Sequence, residues 1–333
     1  MTLVVDAHMH TVPGADWFPA AFGGAEEHWW REVRWRGEKT SPEYFEAALA
    51  EMPDPDCSKV LARMDAAGID VAVTMPMDHG VNFGDEGMVP IAEQNRISCG
   101  YAAATGGRVL SFCGVDPRRP EAAELLRTAV DEWGARGLKL YPTNGFAPDD
   151  PVCHPLYDIV AERGLPVLLH GGHSSRRQKS KYGHPMLVDA AAADYPEVDF
   201  IIGHSGRWEG WSREAFAVAV YKTNVVLDMS LWQHWASPDQ ICRALLWLKD
   251  RVGLDRVLFA SDMIGIEVSW TLPEWADQVR GFGELAKQLG GDISAAELDL
   301  VMGGNAVRLM GIEAPAGNRV LVGTSEHNTE GLK

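Results

Sequence analysis

Short runs of Val, Ile and Leu alternate with helix-like segments along most of this chain. That alternation constrains the fold more than any other feature. The expected strands are LVVDAHMH (3–10), DVAVTMP (70–76), VLSFCGVDP (109–117), GLKLYP (137–142), PVLLHGG (166–172), VDFIIGHSG (198–206), NVVLDMSL (224–231) and RVLFASDM (256–263). Several are almost continuously apolar, as expected of strands covered on both faces in a parallel sheet. Between them lie segments with apolar residues at helical spacing. SKVLARMDAAG (58–68) puts Ser58 at the N-cap and Gly68 at the stop. PEAAELLRTAVDEWGARG (120–137) opens with Pro120 and early acids and ends at Gly137. PLYDIVAERG (155–164) and PDQICRALLWLKDRVG (238–253) follow the same grammar.

Eight strands alternating with helices is the count of a (β/α)8 TIM barrel, and 333 residues suit that α/β fold. A doubly wound sheet uses the same elements. However, no GxGxxG or GxxxxGK(S/T) stretch follows any strand, which weakens its nucleotide-binding form. The expectation is one barrel domain over residues 1–312, with residues 11–57 inserted after strand 1 and a polar, Gly-containing tail over 313–333. The insertion carries Trp17, Trp29, Trp30 and Trp35. It leaves the face on which barrels build active sites. It reads either as a satellite core over the barrel edge or as an aromatic lid over a substrate.

Composition excludes some partners. The net charge of −17 would repel a phosphate backbone, so no nucleic-acid partner is expected. The five cysteines form no CxxC pair and are odd in number, which argues against a disulfide framework or a cysteine zinc site. Reduced thiols point to a cytoplasmic protein. No apolar run approaches the ~18–20 residues that span a bilayer, and no N-terminal signal pattern is present, so no membrane partner is expected. A small-molecule substrate remains.

The strand ends carry the chemistry. Strand 1 ends in His8 and His10, strand 5 in His170, strand 6 in His204 and strand 8 in Asp262, while strand 4 carries Lys139. On a strand, residues two apart share a face, so His8 and His10 can bind one ion together. Taken singly, each signal has a plain structural explanation. HxH arises by chance, a lone strand-end histidine is usually structural, and an Asp after a strand often caps a helix. Their joint occurrence at one end of the barrel predicts a metal site.

With DAHMH, GLKLYP, LLHGG, IIGHSG and FASDM in that order, the chain resembles the amidohydrolase superfamily. Within it, the resemblance is to the branch that includes aminocarboxymuconate semialdehyde decarboxylase and related metal-dependent hydrolases. It spans residues 6 to 263. The resemblance implies one divalent metal bound by His8, His10, His170 and Asp262, with His204 and Asp262 catalytic. Such a donor set suits Zn²⁺, with Mn²⁺ or Fe²⁺ as alternatives, and leaves room for a water or a substrate oxygen. Some amidohydrolases carry a carboxylated lysine on strand 4 that bridges two metals, and Lys139 stands at that place. A mononuclear site is the expectation, with Lys139 otherwise a neutralising cation or a residue facing the helix layer. Because relatives are often dimers, a homodimer is also carried as an expectation.

Two chemistries fit. In hydrolysis, the metal acidifies water, Asp262 moves the proton and His204 hydrogen-bonds the oxyanion. In decarboxylation, the metal holds the substrate carboxylate and Asp262 or His204 protonates carbon. Decarboxylases of aromatic acids in this branch often show a glutamate soon after the strand-6 histidine, as in GHxGE. Here Arg207 stands in GHSGRWEGW, so hydrolysis is preferred. Arg176, Arg177, Lys179 and Arg207 are candidates to hold a substrate carboxylate. His173, Tyr141 and Trp17 are further substrate-contact candidates. A non-catalytic metal-bearing binding protein is the alternative of another class, opposed by the presence of every expected ligand and acid–base position.

Overall fold

In the computed structural model, residues 2–14, 16–20, 42–264 and 270–315 are described. Trp29, Trp30 and Trp35 of the expected insertion lie outside the described residues, as does most of the expected tail. The strands are β1 Val5–Met9, β2 Val71–Thr74, β3 Val109–Ser111 continuing past Phe112 as Cys113–Gly114, β4 Leu138–Leu140, β5 Val167–Leu169, β6 Phe200–Ile202, β7 Val225–Asp228 and β8 Val257–Leu258. Each pairs in parallel with its sequence neighbour. The first part of β3 lies against β2 and its second part against β4. The seam is closed by hydrogen bonds from Ala7 N to Phe259 O at 3.0 Å and from Asp262 N to His8 O at 2.8 Å. The fold is therefore the expected (β/α)8 barrel.

Alternation along the strands builds two cores. On β5, Val167 and Leu169 face the outer cluster under the helices, while Leu168 faces the inner cluster with Phe112, Ile201, Val226 and Leu258. Each such side chain contributes roughly 1.5–3 kcal/mol when fully buried. The helix Asn305–Met310 plugs the lower end of the barrel with Ala306, Leu309 and Met310. The upper end is left to polar residues.

Strand β1 departs from simple alternation. Val5 and Ala7 belong to the inner cluster and Met9 to the outer one, and the pairing with β2 shifts register between Asp6 and Met9. This β-bulge sets two residues against one and reverses the parity. It turns His8 and His10 into the barrel mouth.

Two helix boundaries differ from expectation. Ser58 is the first residue of helix Ser58–Ala67, not its cap. The capping acceptor is Asp54, whose side chain takes hydrogen bonds from Lys59 N and Val60 N at 3.1 and 2.8 Å. Gly68 stops this helix at φ 63° as expected. The helix read over 120–137 spans only Ala122–Asp131. The chain then turns early, and Arg136 N donates to Ser111 O at 2.8 Å on its way into β4. Helix Pro238–Arg251 carries a capping box from Ser237 and Gln240. Among the described residues no helix is long and apolar enough to cross a membrane.

Candidate active site

At the upper mouth, His8 Nε2, His10 Nε2 and Asp262 Oδ1 converge. Asp262 Oδ1 lies 3.4 Å from His8 Nε2 and 3.2 Å from His10 Nε2. The two imidazole rings stand nearly at right angles, 77°, with centroids 5.3 Å apart. Both histidines are buried, His8 on β1 and His10 just past its end.

Hydrogen-bond partners fix where the ring protons sit. His10 Nδ1 lies 2.8 Å from the Met75 carbonyl, which can only accept, so Nδ1 donates and, in the neutral ring, Nε2 keeps its lone pair. His8 Nδ1 lies 2.8 Å from Asp228 Oδ2, with the same consequence. Ser230 Oγ donates to Asp228 Oδ1, so it must accept from His204 Nδ1 at 2.7 Å. That leaves His204 Nε2 as an acceptor, facing His170 Nδ1 at 3.1 Å. His170 therefore donates from Nδ1, and its Nε2 accepts from Ser174 Oγ at 3.0 Å. All three expected histidine ligands thus present an unprotonated Nε2. Ring nitrogens ordered by a carboxylate or carbonyl are what a metal ligand needs.

The donor set fits a divalent cation: His8, His10 and Asp262 bring their ligand atoms within 4.8 Å of one another. His170 is outside that group. It lies beside it, on His204 and under Tyr141, whose ring stacks on it at 4.1 Å. A second group, His8, His204 and Asp228, meets the same separation.

Burial works to raise the Asp262 carboxyl. Its contact with His10 and the nearby Lys139 charge outweigh it, so Asp262 is held below its usual range and stays ionised. Burial drives His8, His170 and His204 well below the ordinary histidine value, with the Lys139 charge adding to it. They are neutral at pH 7. Lys139 does not face the helix layer. Its Nζ lies 3.1 Å from His8 Nε2, and burial pushes its ammonium down to about 8 against the pull of Asp262 and Asp228.

Both acid–base candidates sit on strained backbone. His204 has φ 58° and Asp262 φ 58°, in the left-handed region that non-glycine residues seldom occupy. His204 is held there by its N–H donating to Asp228 Oδ1 at 2.6 Å and by Trp232 Nε1 donating to its carbonyl at 3.2 Å. Close approach of the loops requires Gly171, where a Cβ would lie 2.7 Å from the Gly203 carbonyl oxygen. That approach lets His170 and His204 meet.

The substrate-contact candidates scatter around the rim. Tyr141 is half-buried on His170, and His173 is exposed with its ring stacked on Trp211 at 4.1 Å. Arg207 donates to the His173 carbonyl at 2.9 Å, and its charge helps to depress His170 and His204. Arg176, Arg177 and Lys179 are exposed. Trp17 is buried in the wall, with its carbonyl accepting from Gln94 Nε2 at 2.8 Å.

Sequence reading missed Asp228, Ser230 and His79. Asp228 closes β7, so the strand-end rule that singled out Asp262 extends to it. His79 is buried near the mouth, 4.8 Å ring to ring from Tyr141, and follows β2 too distantly for that rule.

The amidohydrolase family model matches residues 5–312, nearly the whole barrel. The chain belongs to the amidohydrolase family. No curated protein matches it. Among solved structures, this amidohydrolase is similar to 5-carboxyvanillate decarboxylase from Sphingomonas paucimobilis, at 17% identity and TM-score 0.64, covering 94% of this chain and 100% of that one. It is similar to an amidohydrolase with bound zinc from Burkholderia multivorans, at 17% and 0.60, covering 93% and 100%. It is also similar to 4-oxalomesaconate hydratase from Rhodopseudomonas palustris, at 20% and 0.56, covering 93% and 96%. At such identities the likeness speaks for the fold alone, and fold does not choose among reactions.

Proposed function

We propose that this amidohydrolase is a metal-dependent hydrolase that cleaves an amide, lactone or ester bond of a small organic substrate with water. His8, His10 and Asp262 would hold one divalent cation, Zn²⁺ before Mn²⁺ or Fe²⁺, with His170 the fourth member of the expected set. When bound, the cation supplies a Lewis acid for a substrate oxygen and for water.

The observation that carries the hydrolytic reading is the proton order of the site. Asp262 is held ionised, and His204 presents an unprotonated Nε2. Both proton-transfer groups are therefore acceptors. Attack by water needs an acceptor first, whereas decarboxylation needs a donor to carbon. In this reading Asp262 takes the proton from the attacking water and returns it to the leaving group. His204, whose Nε2 already accepts from His170, has no proton there to offer as the oxyanion donor expected from its position alone. The strained backbone at both residues keeps their side chains aimed into the mouth without reorganisation.

One observation favours the second reading, non-oxidative decarboxylation of a small unsaturated or aromatic acid. The Arg207 charge reaches His170 and His204, so a substrate carboxylate could be held close to them. Incubation of Zn²⁺-loaded protein with a panel of lactones, esters, amides and small carboxylic acids tests both. Hydrolysis of a panel member in which ¹⁸O from water enters the product is the expected result. Release of CO2 from an acid, without hydrolysis of any other member, overturns it.

A further inference from the structure

We propose that Asp228 is a positioning residue whose single carboxylate sets the ring protons of His8, His204 and His170 and so prepares both the cation ligands and the base. This rests on the metal-dependent reading above.

The argument starts from donor counting. Asp228 is fully buried at the end of β7. Its Oδ2 accepts from His8 Nδ1 at 2.8 Å. Its Oδ1 accepts from the His204 backbone N–H at 2.6 Å, the Ser230 N–H at 3.1 Å and the Ser230 hydroxyl. Four donors converge on two oxygens. Only an ionised carboxylate accepts at both oxygens; an amide of the same shape must turn an NH2 toward one set of donors.

Two chains of protons leave this group. One ends directly at His8, whose Nε2 is thereby left unprotonated, facing Lys139 Nζ. The other runs through the Ser230 hydroxyl to His204 Nδ1, and from His204 Nε2 to His170 Nδ1, leaving His170 Nε2 unprotonated, where it accepts from Ser174 Oγ. The same Oδ1 also fastens the backbone of His204 at φ 58°. Asp228 touches none of the expected reacting atoms. Its effect is exerted through the rings it orders, as outer hydrogen-bond partners of metal ligands commonly act.

The test is Asp228→Asn beside Ser230→Ala, read with Zn²⁺ alone by competition against a chromophoric chelator, and with Co²⁺ alone by its visible spectrum. Asp228→Asn is expected to weaken Zn²⁺ about 10–100-fold and to shift the Co²⁺ bands. Ser230→Ala interrupts only the branch to His204 and His170, so its loss is expected to be smaller. A second measurement needs no variant: ¹⁵N NMR of histidine-labelled, Zn²⁺-loaded wild-type protein. It should show His8, His204 and His170 all protonated at Nδ1. Wild-type affinity and bands in Asp228→Asn would overturn the proposal, as would an Nε2–H tautomer at His8 or His204 in the wild type. Failure of the wild type itself to bind Zn²⁺ or Co²⁺ would instead overturn the metal-dependent reading on which it rests.

Discussion

Asp262 and His8 close the barrel and shape its site with the same pair of residues. The Asp262 N–H donates to the His8 carbonyl at 2.8 Å, and Asp262 Oδ1 lies 3.4 Å from His8 Nε2. The first and last strands must meet for the barrel to exist, and the candidate ligands sit where they meet. Asp6 adds to that seam. Its carboxyl takes the Ser261 N–H at 3.0 Å, and burial pushes it up to about 7.

This geometry allows a clean substitution. Asn tolerates the left-handed backbone that Asp262 adopts at φ 58°, so Asp262→Asn removes the charge without forcing the chain. Turnover of the Zn²⁺-loaded variant should fall by about 10²–10⁴, the usual contribution of a positioned base. Circular dichroism should still report a folded barrel. Full activity in this variant would remove Asp262 from the chemistry.

His8, His10, His204 and Asp262 were legible in the sequence because each follows an apolar strand and bears a proton-moving or metal-binding group. The barrel was legible because its strands are covered on both faces and therefore read as unbroken apolar runs. Asp228 follows β7 in the same way. Its role depends on a nitrogen contributed by β1 and a serine two residues on, and no local pattern reports that meeting. The bulge in β1 was equally hidden: DAHMH carries no residue that demands it, and it arises from pairing with β2. Ser58 misled because Asp54, four residues earlier, supplies the cap instead.

Metal removal and His10→Ala should separate enzyme from binding protein. A cation at ~100 times its dissociation constant stabilises the folded state by about 2.7 kcal/mol. Chelation of the wild type should lower the thermal midpoint and abolish turnover. His10→Ala should remain folded, lose turnover and show little further loss on chelation. Unfolding of His10→Ala together with metal loss would favour a structural ion instead.

Acid should weaken the fold through buried neutral histidines. Burial holds His79 down to about 4, compared with 6.5 for an ordinary histidine, despite a hydrogen bond to Asn144. The unfolded chain takes up a proton near pH 6.5, while the folded chain refuses it until about 4. Stability from this group is therefore complete above about 6.5 and is lost as pH falls toward about 4. His79→Gln should flatten the dependence of unfolding free energy on pH in that window, by at most about 1.4 kcal/mol per pH unit for one proton. An unchanged slope in urea titrations at pH 4.5, 5.5 and 6.5 would contradict this assignment.

Arg207 is the proposed anchor for a substrate carboxylate. It occupies strained backbone at φ 61°, donates to the His173 carbonyl and lies with its guanidinium 5.3 Å above the Trp235 ring. These contacts set its cation at the rim, near enough to depress His170 and His204. A charge-assisted hydrogen bond is worth about 1.5–3 kcal/mol, or roughly 10–150-fold in binding. Arg207→Met should therefore raise KM for a carboxylate-bearing substrate by about that factor, with a smaller change in kcat. The matched methyl ester should show little change, because it offers no charge to hold. Equal loss for acid and ester would mean that Arg207 supports the loop carrying His204 and does not touch the substrate. Loss of kcat for the acid alone would instead place the carboxylate at the reacting centre, which is the outcome that favours decarboxylation.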